Sequence, residues 1–241
     1  MLFVPGDRED MIEKAMRFEA DSVILDLEDA VLPERKMVAR EAIAQALQAL
    51  DFRGKERVVR INSLQAEAAH EDLQALSKFK AKPDAVIVPK AESAEQIKEV
   101  ERRLGSAWLI PAIETARGVL EADERDALLC AKSLSDRSGR LWASSHRLPL
   151  LKFKDLEGLK EDARHAASLG FAGKAVIHPN QIPIVNEIFT PSAERVTWAR
   201  KIIEAYERAG RGAIAVEGEV VDLMTVRMAE RILKAAERLK E

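Results

Sequence analysis

Short apolar runs of strand length recur through the first half of the chain, and segments with helical spacing of apolar residues separate them. The runs occupy residues 2–4, 22–25, 57–62, 85–88 and 107–110. Each unit of strand plus helix spans about 25 to 30 residues, and a parallel sheet covered by helices explains why the strands lack alternation. Closure into a (β/α)8 TIM-type barrel is the preferred interpretation, and a doubly wound sheet is the alternative.

Charged and polar residues stand where the apolar runs end. They are Asp26, Glu28 and Asp29 at the second run, Arg60 and Asn62 at the third, Lys90 at the fourth and Glu114 at the fifth. Ligands bind at the carboxyl ends of parallel strands, and an arginine there suits a carboxylate or phosphate. The alternatives are that the acids only cap or solvate a loop, that Lys90 is a rim charge, and that Glu114 complements the dipole of the following helix.

The second half of the chain is less regular. Residues 132–154 are rich in basic residues and serine and show no periodicity before residue 148. A helix is predicted over residues 155–168 with Gly170 as its stop, and a strand over residues 174–179. We interpret His178, in that strand, as a structural histidine because no partner stands at metal-ligand spacing.

Capping and turn signals organise the C-terminal part. Thr190 and Pro191 are predicted to cap a helix. Glu217 and Gly218 form a two-residue hairpin signal, and Asp222 begins a last helix, either as a plain N-cap or as a functional acid. The boundaries predict a barrel domain over residues 1–189 and a helix-hairpin-helix extension over residues 190–241.

Composition narrows the class of protein. At 241 residues the chain suits one α/β barrel, and its net charge of -3 is spread over interspersed acids and bases, which favours neither nucleic acid nor an anionic membrane. The basic stretch 132–154 has few aromatic residues for base stacking, so a solvated loop is the preferred interpretation. The single cysteine, Cys130, excludes an intramolecular disulfide. No apolar run reaches transmembrane length, and the first residues lack the pattern of a signal peptide, so we expect neither a membrane span nor a leader and a reduced cytoplasm is the expected compartment.

Seven motifs together resemble the citrate lyase beta-chain (CitE-like) family of the HpcH/HpaI aldolase superfamily. The motifs are Leu2-Phe3-Val4-Pro5-Gly6, Asp26-Leu27-Glu28-Asp29-Ala30-Val31, Val59-Arg60-Ile61-Asn62, Val88-Pro89-Lys90, Ile113-Glu114-Thr115-Ala116-Arg117-Gly118, Asp155-Leu156-Glu157-Gly158-Leu159 and Ile177-His178-Pro179. They follow the order of the family and are jointly specific.

The resemblance implies a (β/α)8 barrel, usually trimeric, that uses Mg2+ to cleave or form a carbon–carbon bond between an acyl-CoA enolate and a 2-oxo acid. Citryl-CoA, malyl-CoA and citramalyl-CoA are the substrates it implies. By this similarity Arg60 is catalytic and holds the carboxylate of the oxo acid, and Glu114 contacts the substrate and binds Mg2+. Asp222 matches the acid that the C-terminal segment sends into a neighbouring subunit, where it handles the proton at the CoA α-carbon.

One interval departs from the family. Between Glu114 and Asp155 the chain has about 25 to 30 residues fewer than the family pattern, so the interval is too short for a sixth strand, its helix and a seventh strand with their loops. The motif Gly-Ala-Glu-Asp, whose aspartate is the second metal ligand, is missing. We therefore expect a barrel that is incomplete around strand 6, a metal site resting on Glu114 with Asp29 or Asp136 as substitutes, and weak activity. The alternative is a catalytically impaired relative that serves as a binding or complex subunit.

Overall fold

The computed structural model describes two compact units, Met1–Val185 and Asn186–Glu241. The described residues are 1–105, 107–121, 153–169, 171, 173–210, 212–216 and 218–237. The predictions made for Cys130, for residues 132–152, for Gly170 and for Glu217 fall outside them. No helix within the described part is both long and apolar enough to cross a membrane.

Five parallel strands form the sheet of the first unit. They are β1 (Leu2–Pro5), β2 (Ser22–Asp26), β3 (Glu56–Arg60), β4 (Ala85–Val88) and β5 (Trp108–Pro111). Neighbours in sequence are neighbours in the sheet, in the order β1-β2-β3-β4-β5. All residues of β2 and β4 are buried, as expected for strands covered on both faces. The predicted parallel α/β architecture is confirmed.

A helix follows each of these strands. The helices are α1 (Glu9–Ala15), α2 (Lys36–Ala49), α3 (Glu67–Lys78), α4 (Ala94–Leu104) and α5 (Ala116–Glu121). Ser93 caps α4, since its hydroxyl accepts a hydrogen bond from Gln96 N at 3.4 Å. The Gln96 side chain accepts in turn from Glu92 N at 2.8 Å, so the reciprocal bond is displaced by one residue from a standard capping box.

The later part of the unit returns to the free edge of β1. Helix α6 (Leu156–Ser168) is capped by Asp155, whose carboxylate accepts from Gly158 N at 2.9 Å. Val176 then forms a parallel bridge with Leu2, through hydrogen bonds of 2.9 Å from Phe3 N to Val176 O and from Val176 N to Met1 O. Sequential strands whose last segment reaches β1 fit the connectivity of a (β/α)8 barrel, although the described residues do not form a closed ring.

The strand predicted over residues 174–179 is wrong apart from this bridge. Ile177 N and His178 N donate to Gln181 Oε1 at 3.0 and 3.1 Å, so these N–H groups are used locally rather than by a neighbouring strand. A short 3-10 helix, Pro179–Gln181, begins there, and α7 (Ile182–Phe189) follows. The buried Gln181 side chain therefore ends the extended segment.

The second unit contains α8 (Ala193–Ala209), β6 (Ile214–Val216), β7 (Glu219–Val221) and α9 (Leu223–Glu237). The antiparallel pairing of β6 with β7 confirms the predicted hairpin. The cap of α8 is Ser192, whose hydroxyl accepts from Arg195 N at 3.3 Å, so the predicted cap by Thr190 and Pro191 is wrong. Thr190 N instead donates to Asn186 O and closes the preceding helix.

Candidate active site

The ends of β2 and β3 bring an arginine onto a buried aspartate. Asp26 and Arg60 are the last residues of these strands and stand opposite each other in the sheet. Arg60 Nε and Nη2 donate to Asp26 Oδ1 and Oδ2, both at 2.6 Å. Asp26 also accepts from the backbone N–H groups of Glu28 at 2.9 Å and Ala30 at 3.0 Å. Two parallel charge-assisted bonds therefore fix the guanidinium at the rim of the sheet.

Glu28 lies buried between two cations. Its Oε1 accepts a hydrogen bond from Lys90 Nζ at 2.8 Å, and its Oε2 lies 3.1 Å from Arg60 Nη1. That second contact is an ion pair without hydrogen-bond geometry, so Glu28 Oε2 is a buried oxygen with no hydrogen bond from any described residue. Burial raises the pKa of Glu28, and the bond from Lys90 and the charge of Arg60 offset only part of this effect. A buried oxygen without a hydrogen bond calls for an explanation, such as an ordered water, an ion or a ligand that donates to it.

Lys36, in the first turn of α2, holds the turn that carries these acids. Its Nζ donates to the carbonyl oxygens of Leu27 and Glu28, both at 2.6 Å. Burial lowers the pKa of Lys36, although the nearby carboxylates, Asp26 first among them, act in the opposite direction. The role of Lys36 is not visible in the sequence, because its partners are backbone carbonyls that no side-chain motif reveals.

Lys90 connects the ends of β4 and β5. Its backbone has a φ of 50°, in the left-handed region that non-glycine residues seldom adopt. Its N–H donates to Glu114 Oε1 at 2.9 Å, while its ammonium contacts Glu28, which raises the pKa of Lys90. Glu114 is otherwise exposed. Lys90 thus positions Glu114 with its backbone and Glu28 with its side chain, so it is more than the rim charge that the sequence left open as an alternative.

A close contact sets α5 beside this rim. Gly118 N donates to Thr115 Oγ1 at 2.9 Å, and the Thr115 hydroxyl donates to Glu92 Oε1 at 2.9 Å. A Cβ atom on Gly118 would lie 2.5 Å from Ala91 O, closer than real contacts allow. The glycine therefore lets the helix after Glu114 pack against the turn that follows Lys90.

Asn62 serves packing rather than the rim. Its backbone N–H and its side-chain Nδ2 both donate to Asp72 Oδ2 at 2.7 Å. Arg40 of α2 donates to the other oxygen of this fully buried carboxylate at 2.7 Å. The network ties α2 and α3 to the segment after β3, directly beyond Arg60.

Asp222 lies in the second unit, at the start of α9. Its Oδ1 accepts hydrogen bonds from Thr225 N and Thr225 Oγ1, both at 2.9 Å. These bonds, the one from the backbone first, lower the pKa of Asp222. The geometry is that of the plain N-cap, the alternative left open by the sequence, and the catalytic role stays a prediction.

His178 caps the 3-10 helix by accepting from Asn180 N at 3.2 Å, and its ring stacks on Phe153 with centroids 4.9 Å apart. Both contacts are structural, as the sequence indicated.

The carboxylates at the rim determine how a metal ion could be held. The described residues contain no group of three His, Cys, Asp or Glu side chains that could hold a metal ion. Asp29, the predicted substitute ligand, lies instead beside Arg60 and Lys90, at 3.6 and 3.9 Å, and Asp136 lies outside the described residues. Mg2+ in enzymes is typically held by one or two carboxylates, with substrate and water as further ligands. The exposed carboxylate of Glu114, held by Lys90 N, fits as one such ligand.

Comparison with known proteins identifies relatives over nearly the whole chain. Residues 1–128 match the family described as HpcH/HpaI aldolase/citrate lyase, and residues 132–238 match the family described as C-C bond lyase of the TIM-barrel fold. The (3S)-malyl-CoA thioesterase of Cereibacter sphaeroides is 32% identical over 271 residues, covering 99% of this chain and 94% of the relative. The mitochondrial citramalyl-CoA lyase of Rattus norvegicus is 31% identical over 292 residues, covering 100% of this chain and 86% of the relative.

Solved structures of the same family are also similar to this chain. The crystal structure of the protein CitE from Mycobacterium tuberculosis, in complex with magnesium, acetoacetate and coenzyme A, shares 33% identity and a TM-score of 0.67 with this chain. The match covers 98% of this chain and 97% of that one. The two sequence alignments extend over 271 and 292 residues, so they contain positions that this chain of 241 residues lacks.

Proposed function

Because the chain belongs to the HpcH/HpaI aldolase/citrate lyase family, we propose that it is a Mg2+-dependent lyase that cleaves a carbon–carbon bond in an acyl-CoA thioester. The proposed substrates are citryl-CoA or a malyl-CoA-like thioester, which yield an acyl-CoA and a 2-oxo acid. The observation that carries the proposal is the pair of buried Asp26 and half-buried Arg60, which holds a guanidinium at the rim. Lys90 shares Glu28 with this guanidinium and binds Glu114 through its backbone. The family resemblance stated from the motifs is confirmed.

In the proposed reaction the bond between C2 and C3 of a 3-hydroxyacyl thioester breaks. The C3 hydroxyl loses its proton and becomes the carbonyl of the oxo acid, while the electron pair of the broken bond passes to C2 and gives the enolate of the acyl-CoA. A proton then reaches C2. Neither water nor an oxidant is consumed, which distinguishes this reaction from hydrolysis of the thioester.

Arg60 is proposed to bind the carboxylate of the oxo acid. Asp26 uses the edge formed by Nε and Nη2, and Glu28 approaches Nη1 at 3.1 Å. A guanidinium carries five N–H groups, so donors at its Nη1 and Nη2 end remain for a substrate carboxylate. The bonds to buried Asp26 hold the side chain in one orientation, so that the anchor is preorganised.

Glu114 is the proposed ligand for Mg2+, with oxygens of the oxo acid and water as the other ligands. When bound, the ion supplies positive charge that polarises the oxo-acid oxygen. The hydrogen bond from Lys90 N supports this role, because it keeps the carboxylate of Glu114 at the end of β5.

Asp222 is the proposed acid or base at the CoA α-carbon, acting in a neighbouring subunit of a homo-oligomer. It is exposed at the start of α9, as a residue that reaches a neighbouring subunit must be, and an aspartate is ionised near neutral pH, as a base needs in the direction of bond formation. Asp222→Asn retains a good capping residue. Loss of turnover with unchanged stability is the expected result, whereas full turnover by this variant would remove Asp222 from the mechanism.

A product analysis tests the function. The purified protein is incubated with Mg2+ and, separately, citryl-CoA, malyl-CoA or citramalyl-CoA, and the products are separated and identified by mass spectrometry. We expect an acyl-CoA and a 2-oxo acid in equal amounts from one of these substrates, and loss of both products in Glu114→Gln. Release of free CoA thiol without an oxo acid would instead identify a thioesterase, and no reaction with any of the three would reject the proposal.

A catalytically impaired binding or complex subunit is the second candidate. The observation that favours it is the length of the alignments, since 271 aligned residues exceed the 241 of this chain by 30. The described residues also offer Glu114 without a second clustered metal ligand. Saturable binding of an oxo acid without cleavage of any thioester would support this candidate over the lyase.

A further inference from the structure

Two cations at the rim share a buried carboxylate and also face an exposed one. Glu28 contacts Lys90 Nζ at 2.8 Å and Arg60 Nη1 at 3.1 Å. Asp29, the next residue, places Oδ1 at 3.9 Å from Lys90 Nζ and Oδ2 at 3.6 Å from Arg60 Nη1. The side chain of Asp29 is 68% exposed and that of Glu28 only 6%. The exposed carboxylate of Asp29 therefore spans the same two cations that buried Glu28 holds together.

We propose that Asp29 is an internal competitor for the carboxylate of the substrate, and that Lys90 binds this carboxylate together with Arg60. An incoming 2-oxo acid displaces the Asp29 carboxylate from between the two cations. This inference rests on the proposed function, and it adds Lys90 and Asp29 to the residues that determine affinity for the oxo acid.

The contact distances distinguish Asp29 from the neighbouring acids. Asp26 receives hydrogen bonds from Arg60 at 2.6 Å and Glu28 receives one from Lys90 at 2.8 Å, and both acids are buried. The two distances from Asp29, 3.6 and 3.9 Å, exceed the usual hydrogen-bond range of about 2.7–3.2 Å. Exposed ion pairs of this kind contribute little free energy. A substrate carboxylate that forms full hydrogen bonds can therefore displace Asp29, but it cannot displace Asp26 or Glu28.

The charges around Asp29 also support its role as a competitor for the substrate carboxylate. The charged side chains at this rim are three cations, Lys36, Arg60 and Lys90, and four acids, Asp26, Glu28, Asp29 and Glu114. Among these side chains, with all of them ionised, the carboxylates exceed the cations by one, and whether or not Mg2+ is bound, each carboxylate charge that is removed makes the rim more favourable to an anion. Removing the charge of Asp29 eliminates this excess without disturbing a hydrogen bond to either cation.

Calorimetric titration with pyruvate at saturating Mg2+ tests the inference, because it requires no turnover. In Asp29→Asn we expect pyruvate to bind about threefold tighter, the size of effect expected for removing one exposed ion-pair partner. Asp10→Asn is the matched control, since Asp10 is also exposed and lies between two cations, 3.2 Å from both Arg8 and Lys14. Its affinity for pyruvate should equal that of the unmodified protein.

A double variant shows whether Asp29 acts through Lys90. Lys90→Met should weaken pyruvate binding by about tenfold, as expected for losing one charge-assisted contact. In the Lys90→Met background, Asp29→Asn should give a smaller gain than it gives alone, because one of the cations for which it competes is absent. Equal gains in both backgrounds would overturn the assignment of Lys90.

The remaining outcomes of the titrations also test the role of Asp29. Unchanged affinity in Asp29→Asn would reject the competitor role, and weaker binding would show that Asp29 helps to hold the ligand. If the unmodified protein cleaves a thioester and binds pyruvate but Asp29→Asn gains nothing, this inference fails and the proposed function stands. If neither protein binds pyruvate and no thioester is cleaved, both fail.

Discussion

Arg57 and Arg60 stand on the same strand, three residues apart in the sequence, at opposite ends of the sheet. At the amino end, Arg57 and Asp84 form a closed pair in which Arg57 N, Nε and Nη2 donate at 2.9, 3.0 and 2.7 Å. Ser22, at the start of β2, likewise donates to Glu56 at 2.9 Å. Ser22, Glu56, Arg57 and Asp84 therefore each have a definite partner at this end.

The carboxyl end distributes its charges differently. Arg60 binds Asp26 and also faces Glu28 and Asp29, and Lys90 faces the last two as well. One buried oxygen, Glu28 Oε2, has no hydrogen bond from a described residue. Closed pairs at one end stabilise the sheet, while shared and incompletely satisfied charges at the other leave donors for a ligand. This division follows the general rule that α/β barrels bind ligands at the carboxyl ends of their strands.

The largest difference between the two ends is expected when Arg60 and Arg57 are each replaced by alanine. Arg60→Ala leaves the buried carboxylate of Asp26 without its cation, which should cost about 3–5 kcal/mol of unfolding free energy and abolish oxo-acid binding. Arg57→Ala breaks a partly exposed pair and should cost at most about 1 kcal/mol, with oxo-acid binding unchanged. Denaturant unfolding and pyruvate calorimetry on both variants measure the two effects.

Arg60→Lys separates binding from stability in this comparison. A lysine keeps the positive charge beside Asp26 but cannot donate two parallel bonds. We expect part of the stability to return while oxo-acid binding stays weak. Equal losses of binding in the Arg57 and Arg60 variants would show that the two ends of the sheet do not differ in function.

The second prediction concerns Mg2+. With Glu114 as the carboxylate that the described residues offer, we expect binding of Mg2+ to be weak alone and stronger when oxaloacetate adds oxygen ligands. Glu114→Gln should weaken Mg2+ binding in the presence of oxaloacetate by at least about tenfold. Calorimetric titration with and without the acid makes the measurement. Tight binding without the acid that is lost in Glu114→Gln would reveal a second ligand.

The smallest effect is the pH dependence of stability, and its sign should differ between the two ends. Burial raises the pKa of Asp84 but the bonds from Arg57 lower it more, so the net pKa lies below the ordinary value. Its stabilising contribution is therefore present above the ordinary carboxyl pKa and is lost as pH falls. Burial raises the pKa of Glu28. The folded protein therefore becomes less stable as pH rises from the ordinary glutamate pKa through the raised pKa.

Denaturant unfolding of Asp84→Asn and Glu28→Gln over a series of acid pH values makes this comparison. The stability advantage of the unmodified protein over Asp84→Asn should shrink as pH falls. Relative to the unmodified protein, Glu28→Gln should gain stability as pH rises. Parallel pH profiles for the two variants would contradict the assigned pKa directions.

The hydrophobic pattern predicts much of the fold. It places an apolar run at residues 85–88, where β4 is observed, and a helix at residues 155–168, which is observed as Leu156–Ser168. Strands buried on both faces are apolar throughout, so their signal in the sequence is strong. The pattern fails at Gln181 and Ser192, where a side-chain hydrogen bond decides where a segment ends or begins. Burial periodicity carries no information about such bonds.

The location of the candidate site can also be predicted from the sequence, but which of its charged side chains contact each other cannot. Parallel strands end at one edge, so Asp26, Arg60, Lys90 and Glu114 are expected together. Which charges meet depends on strand register, which sets Asp26 opposite Arg60, and on the left-handed backbone of Lys90, whose N–H binds Glu114. Neither follows from the order of residue types along the chain.

Hydrogen exchange followed by mass spectrometry, with and without pyruvate and Mg2+, tests most directly the claim that the carboxyl end is the binding site. The account predicts slower amide exchange on binding in residues 26–30, 60–63 and 88–92, because the ligand bridges the turns that hold these donors and stabilises them against opening. Residues 55–57 and 83–85, at the amino end, should exchange at the same rate in both states. Protection at the amino end, or none at the carboxyl end under conditions where calorimetry shows binding, would contradict it.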